Sequence, residues 1–360
     1  MKNRVNHNML ILARLIRGLS QSEIADRLGM SQPQVSKVEQ RLITVSHEIA
    51  ECYGKKLSFP VEFFYQHGEI FPSYISLFRK KQSLGKGETD QINALLNIQY
   101  LNLCKLLEQV EVDVDVPFMD LESYISPSDV ARALRLYWKI PNGPINNLTT
   151  ILERAGIFVL YLDVATNKFD GIRFVADQNL PIIAVNKNVP PDRFRFTLAH
   201  ELGHLIMHRV VTPTADDEAS LFASEFLTPS DQITFPKRIG LEHLADLKRY
   251  WKVSMASLAY KAKQNGAITQ RQYQYLFTQL SQLGYRLREP VELDPPQEIP
   301  SLISRIMRIH LEQLNFSKQD LMSLFTLSEN DFQQWWGPYL GIEKNKKGPL
   351  KLVKGALLQN

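Results

Sequence analysis

Two histidines and a glutamate in the segment RFTLAHELGHLIMH have the types and spacing of a catalytic metal site. His200 and His204 are four residues apart, so on a helix their imidazoles share one face and can bind one cation. Glu201 lies close enough to reach a water beside that cation. In this HExxH chemistry, zinc lowers the pKa of water and the glutamate takes its proton during attack on a peptide carbonyl. The pattern predicts a zinc endopeptidase; a core helix with hydrogen-bonded histidines is the alternative.

A third protein ligand for zinc has to come from elsewhere in the chain. The downstream segment DDEASLFASEFLTP contains Glu218 and Glu225, which are seven residues apart and hence on the same helical face, so only one of them should bind. His208 is a further candidate, but it lies one turn after His204, where reaching the same ion would strain the helix. Asp170 is a candidate hydrogen-bond partner for the histidines. Residue types and spacing leave the choice of third ligand open.

The N-terminal residues predict a second kind of site. In SQSEIADRLGM, Ser20 can cap a helix while Glu23 reaches back to it, and Gly29 suits the left-handed residue that ends the helix. A new helix starts at once in SQPQVSKVEQ, with Ser31 as its cap. Two helices joined by a short turn that contains glycine form a helix-turn-helix.

The remaining segments predict several domains. Strand-like runs, IFVLYLD, GIRFVAD and LPIIAVN, interrupt the helical patterns in the middle of the chain, and a proline-rich stretch follows Leu287. We therefore expect a multidomain protein with an all-α helix-turn-helix domain, an α+β domain and a small C-terminal helical region. The expected boundaries are 1–67 for the helix-turn-helix domain, 68–124 for a helical connector, 125–288 for the metallopeptidase domain, 289–300 for a linker and 301–360 for the helical region with its basic tail.

Composition indicates a cytoplasmic protein without membrane spans. The chain has 360 residues, of which 44% are hydrophobic and 22% charged, and a net charge of +4 that permits an anionic partner without requiring one. Its two cysteines, Cys52 and Cys104, form no CxxC pair, so they indicate neither a zinc knuckle nor a disulfide framework and fit a reducing compartment. The apolar run that starts at Met9 is too short and too interrupted by arginines for a signal peptide.

The segments PDRFRFTLAHELGHLIMH and DEASLFASEFLTP, with FDGIRF and PIIAVN before them, resemble the ImmA/IrrE family of zinc metallo-endopeptidases over residues 125–275. The resemblance implies a zincin-like fold, Zn²⁺ as the cofactor, His200, His204 and Glu218 as metal ligands, and Glu201 as the catalytic base. Glu225 then becomes a supporting or structural residue. It also implies a repressor-like protein as the substrate. Thermolysin-type enzymes carry an aspartate four residues after the ligand glutamate, whereas this chain has Phe222 there.

The same resemblance implies that LPIIAVN is an edge strand along which an extended peptide lies, with a strand in the core of the sheet as the equal alternative.

The segment LSQSEIADRLGMSQPQVSKVEQ resembles the XRE-type helix-turn-helix of bacterial and phage repressors. The resemblance implies DNA binding, and specific binding would need a homodimer. The family usually has glycine soon after the helix-ending glutamate, whereas here Gln40 and Arg41 follow it. A small helical domain that contacts only protein is the alternative. The implied DNA-binding residues are Gln21 on phosphate and Gln32, Gln34, Ser36 and Lys37 in the major groove.

Together these patterns predict a bacterial or phage-type DNA-binding transcriptional regulator fused to a zinc endopeptidase that cleaves a partner repressor. Such cleavage would derepress genes for stress, mobile elements or phage defence. The alternative is a transcription factor whose zinc domain senses a ligand or a metal and cleaves nothing. The intact Glu201 favours the protease, because a sensor would not need a base.

Overall fold

The computed structural model of the chain describes residues 4–71, 84–164, 166, 168–174, 180–210, 212–236, 238–341 and 350–352. The chain divides into two units, one made of residues 1–113 together with 301–360 and the other of residues 114–300. Along the sequence, the metallopeptidase-like segment is therefore inserted between the two parts that form the first unit. Most of the expected basic tail lies outside the described residues.

The helix-turn-helix opens the first unit, as the sequence predicts. Ser20 Oγ accepts the backbone N–H of Glu23 at 3.2 Å, Glu23 Oε2 accepts the N–H of Ser20 at 2.7 Å, and Gly29 ends the helix with φ of 66°. Its core is apolar and includes the fully buried Ile24 and Val35. The helices are α1 His7–Ile16, α2 Gln21–Leu28, α3 Gln32–Glu39 and α4 His47–Leu57, followed by α5 Lys86–Leu107 and a short strand, β1 Val110–Val112.

The second unit is an α+β fold, which confirms the predicted class for this region. Its helices are α6 Pro127–Tyr137, α7 Leu148–Arg154, α8 Pro191–Met207, α9 Ala215–Leu227, α10 Leu241–Trp251, α11 Met255–Gln264 and α12 Gln270–Gln282. Among the described residues, its strands are β2 Phe158–Leu162, β3 Gly171–Phe174 and β4 Ile182–Asn186, each within one of the strand-like runs.

The sheet of the second unit has the order β2–β4–β3. β4 pairs in parallel with β2, Phe158 opposite Ile182, and antiparallel with β3, Gly171 opposite Val185. Every residue of β4 is buried. LPIIAVN is therefore a central strand, which is the second of the two alternatives given for it. The first alternative, an edge strand, is wrong, since both of its edges already bear hydrogen bonds.

The segment 289–300, expected to be a linker, lies within the second unit. Glu289, Leu293 and Glu298 are buried, and Glu298 forms an ion pair with Arg195 of α8 whose two side chains are 4% and 1% exposed. The charge of Glu298 is thus part of the interior, although the surrounding prolines favour an extended linker.

The last part of the chain completes the first unit. Helices α13 Leu302–Glu312, α14 Lys318–Phe325, α15 Glu329–Trp335 and α16 Gly337–Leu340 are followed by β5 Leu350–Leu352, which pairs antiparallel with β1. Arg17, just after α1, donates to both carboxylate oxygens of the buried Asp331 on α15, at 2.8 and 2.6 Å. The C-terminal helices therefore support the helix-turn-helix. In the part of the chain that the structure describes, none of the helices has the length and hydrophobicity of a membrane-spanning segment.

Candidate metal centre and nucleic-acid interface

Helix α8 carries the HExxH residues and is anchored at its C-terminal end by Arg173. Pro191 occupies the first helical turn, where the missing N–H costs nothing. At the other end, the buried guanidinium of Arg173 on β3 donates through Nη1 to the carbonyl oxygens of His204 and His208, the latter at 2.7 Å. The carbonyl of His204 also accepts the backbone N–H of His208 at 3.1 Å, so Arg173 adds a second hydrogen bond there and also binds the carbonyl of His208, just past the helix end. The sheet thereby fixes the end of α8 that bears the metal-binding face.

Helix α9 packs closely against α8 because a glycine lies at the contact. A Cβ placed on Gly203 would be 2.9 Å from Cδ1 of Phe222 and 3.3 Å from Cα of Ala219. Only glycine leaves room for this approach. The acidic run that begins α9, favourable at a helix N-terminus, is thereby brought to the histidines of α8.

Three side chains from these helices form a cluster able to hold a metal ion. His200 Nε2 lies 3.1 Å from His204 Nε2 and 3.3 Å from Oδ1 of Asp216, and one ligand atom from each residue lies within 4.8 Å of the others. His204 is buried, and His200 and Asp216 are partly exposed. The cluster is therefore partly open to solvent.

The donor set fits a catalytic divalent metal. Two imidazoles and one carboxylate are the three protein ligands of many catalytic zinc sites, which keep the fourth position open. Two tetrahedral ligands at the usual zinc–nitrogen distance lie roughly 3.3 Å apart, close to the histidine separation. Burial lowers the pKa of His204 to about 2, so its imidazole is neutral at pH 7, as a metal ligand requires.

Glu201 has the surroundings of a general base. Its side chain is buried, and its Oε2 accepts the backbone N–H of Arg173 at 2.8 Å, which orients the carboxylate. Burial raises the pKa of Glu201, although the neighbouring His200 and the Arg173 N–H oppose the rise. A carboxylate with a raised pKa is a stronger proton acceptor.

The third member of the cluster differs from the residue that the family resemblance implies. Glu218 lies against His208, with Oε2 2.9 Å from Nε2, and the first turn of α9 brings Asp216 to His200 instead. Sequence reasoning missed Asp216, although the run of three acids in TADDEAS marked this turn as a candidate.

Glu225, the alternative third ligand, and Asp170, the candidate hydrogen-bond partner of the histidines, both pair with other side chains. Glu225 is almost fully buried, where it pairs with Lys261 and Arg132. Burial raises the pKa of Glu225, but the hydrogen bonds from Lys261 and Ser230 outweigh it and hold the pKa below its ordinary value. Asp170 accepts from Arg193 at 2.7 Å. Neither carboxylate belongs to the cluster.

Each of the two candidate metal-binding histidines has a partner at Nδ1. Ser220 Oγ lies 3.3 Å from Nδ1 of His200 and donates to the carbonyl oxygen of Asp216 at 2.9 Å, so it can accept from the ring. Nδ1 of His204 lies 3.0 Å from Nδ1 of His208. With both Nδ1 atoms facing these partners, the Nε2 atoms of both rings face the cluster.

In the helix-turn-helix, polar side chains connect α1, α2 and α3. Arg14 forms a buried bidentate pair with Glu39, at 2.5 and 2.8 Å. Gln21 donates to the same carboxylate at 2.9 Å, and its Oε1 accepts from Nε2 of the exposed Gln32 at 2.8 Å. Gln21 and Gln32 thus come together at the start of α2 and α3, the place expected to meet DNA.

The remaining residues expected in the major groove differ in their freedom to contact a base. Gln34 accepts the backbone N–H of Ser31 at 2.8 Å and so serves as part of the helix cap, while Ser36 accepts from Gln40 at 3.2 Å. Lys37 is exposed. Arg41, near the position where the family has glycine, adopts φ of 62°.

Comparison with known families identifies a domain in each of two regions of the chain. Residues 10–51 match the family described as helix-turn-helix. Residues 152–263 match a peptidase family whose model is described as the IrrE N-terminal-like domain. No curated protein matches the chain significantly. Both resemblances inferred from the sequence motifs are thereby confirmed. The chain combines an XRE-type helix-turn-helix domain at its N-terminus with a peptidase-like domain of the IrrE N-terminal-like family.

Proposed function

We propose that this protein is a transcriptional regulator whose second unit is a zinc-dependent endopeptidase that cleaves a repressor-like protein. The observation that carries the proposal is the cluster of His200, His204 and Asp216 with the buried carboxylate of Glu201 on the same helix. A purely structural helix has no need for this combination, because buried polar groups cost free energy unless they are paired.

In this proposal His200, His204 and Asp216 hold Zn²⁺, with Asp216 in the place that the family resemblance gives to Glu218. The distance of Asp216 to His200 and the contact of Glu218 with His208 support this choice. A bound zinc supplies Lewis acidity toward water and toward a peptide carbonyl. Glu201 then takes a proton from the attacking water and returns it to the leaving amine, and its bond from the Arg173 N–H keeps the carboxylate aligned.

The helix-turn-helix supplies the regulatory half of the proposal. Gln21, at the start of α2, would donate to phosphate, and the exposed Gln32 and Lys37 of α3 would reach base edges. Gln32 would do so by giving up its hydrogen bond to Gln21. Gln34 and Ser36 would reach DNA only by giving up the contacts that they make within the domain. A homodimer would supply the second half-site that specific binding requires.

The Glu201→Gln variant separates a protease from a sensor. With the purified full chain and a candidate repressor, we expect wild-type protein to cleave and Glu201→Gln to bind zinc and DNA normally but to cleave at least 100-fold more slowly. Glu242→Gln removes an exposed glutamate from the first turn of α10 and is the matched control. If Glu201→Gln cleaves like wild type, Glu201 is not the base.

The substrate can be identified in cells. Wild type and Glu201→Gln are expressed beside the repressor-like proteins encoded next to the gene, and immunoblots follow those proteins under induction. Loss of one neighbour with wild type alone identifies the substrate. If every neighbour survives with both forms while the promoter responds, the alternative of a zinc-dependent sensor replaces the protease.

A further inference from the structure

We propose that Glu218 and His208 form a hydrogen-bonded chain that positions the imidazole of His204, so that Glu218 acts through His208 and is not a metal ligand. The inference rests on the proposed metal site and assigns its supporting residues.

The contacts run in one unbroken line away from the cluster. Nδ1 of His204 lies 3.0 Å from Nδ1 of His208, and Nε2 of His208 lies 2.9 Å from Oε2 of Glu218. The side chain of His208 is only 4% exposed, whereas that of Glu218 is 26% exposed. The buried imidazole therefore connects the ligand to a carboxylate at the surface.

The proton positions along this line follow from the metal-binding state. When Nε2 of His204 gives its lone pair to a metal, the proton of the neutral ring is on Nδ1, which must donate to Nδ1 of His208. A neutral His208 then has its own proton on Nε2, which donates to Glu218, and an ionised carboxylate can only accept. Every donor meets an acceptor. These two hydrogen bonds therefore favour the one tautomer of His204 that can bind a metal through Nε2.

The other candidate ligand, His200, has a different hydrogen-bond partner at Nδ1, so the line of hydrogen bonds through His208 positions only His204 of the two. Nδ1 of His200 faces the hydroxyl of Ser220 at 3.3 Å. Among the described residues, the Nδ1 side of His204 is linked through His208 to a carboxylate, whereas the Nδ1 side of His200 meets a neutral hydroxyl. Loss of Glu218 should therefore weaken the binding of metal while leaving the identity of the three ligands unchanged.

The test measures metal binding and not proteolysis. The Zn²⁺ affinity of the full chain is determined by competition with a chromophoric chelator, and the visible spectrum of the Co²⁺-loaded protein reports the ligand set. The variants are Glu218→Ala, Glu218→Gln and Asp216→Ala. Asp217→Ala, which removes an exposed acid from the same turn, is the matched control.

If Glu218 is a positioning residue, Glu218→Ala weakens Zn²⁺ binding by about 10- to 100-fold and keeps the shape of the Co²⁺ spectrum. Glu218→Gln restores the affinity to within about threefold, since the amide oxygen can still accept from His208. Asp217→Ala binds as wild type does. Asp216→Ala loses the metal and shows that the proposed ligand set is correct.

Two results overturn the positioning role. If Glu218→Ala binds Zn²⁺ within threefold of the wild-type affinity, the hydrogen bonds from Glu218 through His208 contribute nothing to metal binding. The proposed ligand set of His200, His204 and Asp216 is then unaffected. If both Glu218 variants lose the metal with an altered Co²⁺ spectrum while Asp216→Ala retains it, Glu218 is the ligand. The proposed ligand set then fails as well, while cleavage dependent on Glu201 remains a separate question.

Discussion

Removing the charge of Glu298 should destabilise the peptidase-like unit strongly, although this residue lies in a stretch that reads as a linker. Glu298 pairs with Nη1 of Arg195 and accepts the backbone N–H of Thr149 at 2.7 Å. Glu298→Gln preserves the shape of the side chain but leaves the guanidinium of Arg195 buried without a counter-charge.

The size of the effect follows from burial. Breaking a fully buried ion pair by neutralising one partner costs about 3–5 kcal/mol. The lower end applies here, because the glutamine still accepts a hydrogen bond and Arg195 keeps its bonds to the carbonyls of Lys252 and Ile145. For a unit of this size each kcal/mol lowers the melting temperature by roughly 2–4 °C, so about 3 kcal/mol predicts a fall of about 6–12 °C.

Differential scanning calorimetry of the full chain measures this fall in the transition of the peptidase-like unit. Glu292→Gln is the matched control, because Glu292 lies in the same segment but is exposed. The melting temperature of this variant should stay within about 1 °C of that of the wild type. A shift for Glu298→Gln as small as that of the control would refute the reasoning that the charge is part of the interior.

Three further predictions follow from the contacts of the two units. Gly203→Ala should lower the free energy of unfolding by about 1–3 kcal/mol, measured by thermal unfolding, and weaken metal binding, since the methyl group collides with Phe222. Wild-type stability of this variant would contradict the close contact between α8 and α9. Asp331→Asn should destabilise the first unit by about 1–3 kcal/mol, because Arg17 loses its charged partner. An unchanged unfolding transition of that unit would contradict the conclusion that the C-terminal helices stabilise the helix-turn-helix. Gln32→Ala should lower the affinity for the operator, measured by fluorescence anisotropy, about 5- to 100-fold with little change on unrelated DNA; equal losses on both would mean that Gln32 reads no base.

The amino-acid sequence by itself determined the local features of both sites. The four-residue spacing of His200 and His204 places them on one face of any helix, and that geometry depends on no other part of the chain. The capping box of Ser20 and Glu23 is local in the same way. The strand-like runs also formed strands, because short apolar segments bounded by turn residues have few other ways to bury their side chains.

Only the tertiary structure decided which distant groups meet. Asp216 and Glu218 are two residues apart and similar in chemistry, and the packing of α9 on α8 at Gly203 brings the first to His200 and the second to His208. The sequence equally gave no means of predicting the central position of β4 or the burial of Glu298. Each depends on contacts between residues far apart in sequence, whereas periodicity and capping report only on neighbours along the chain.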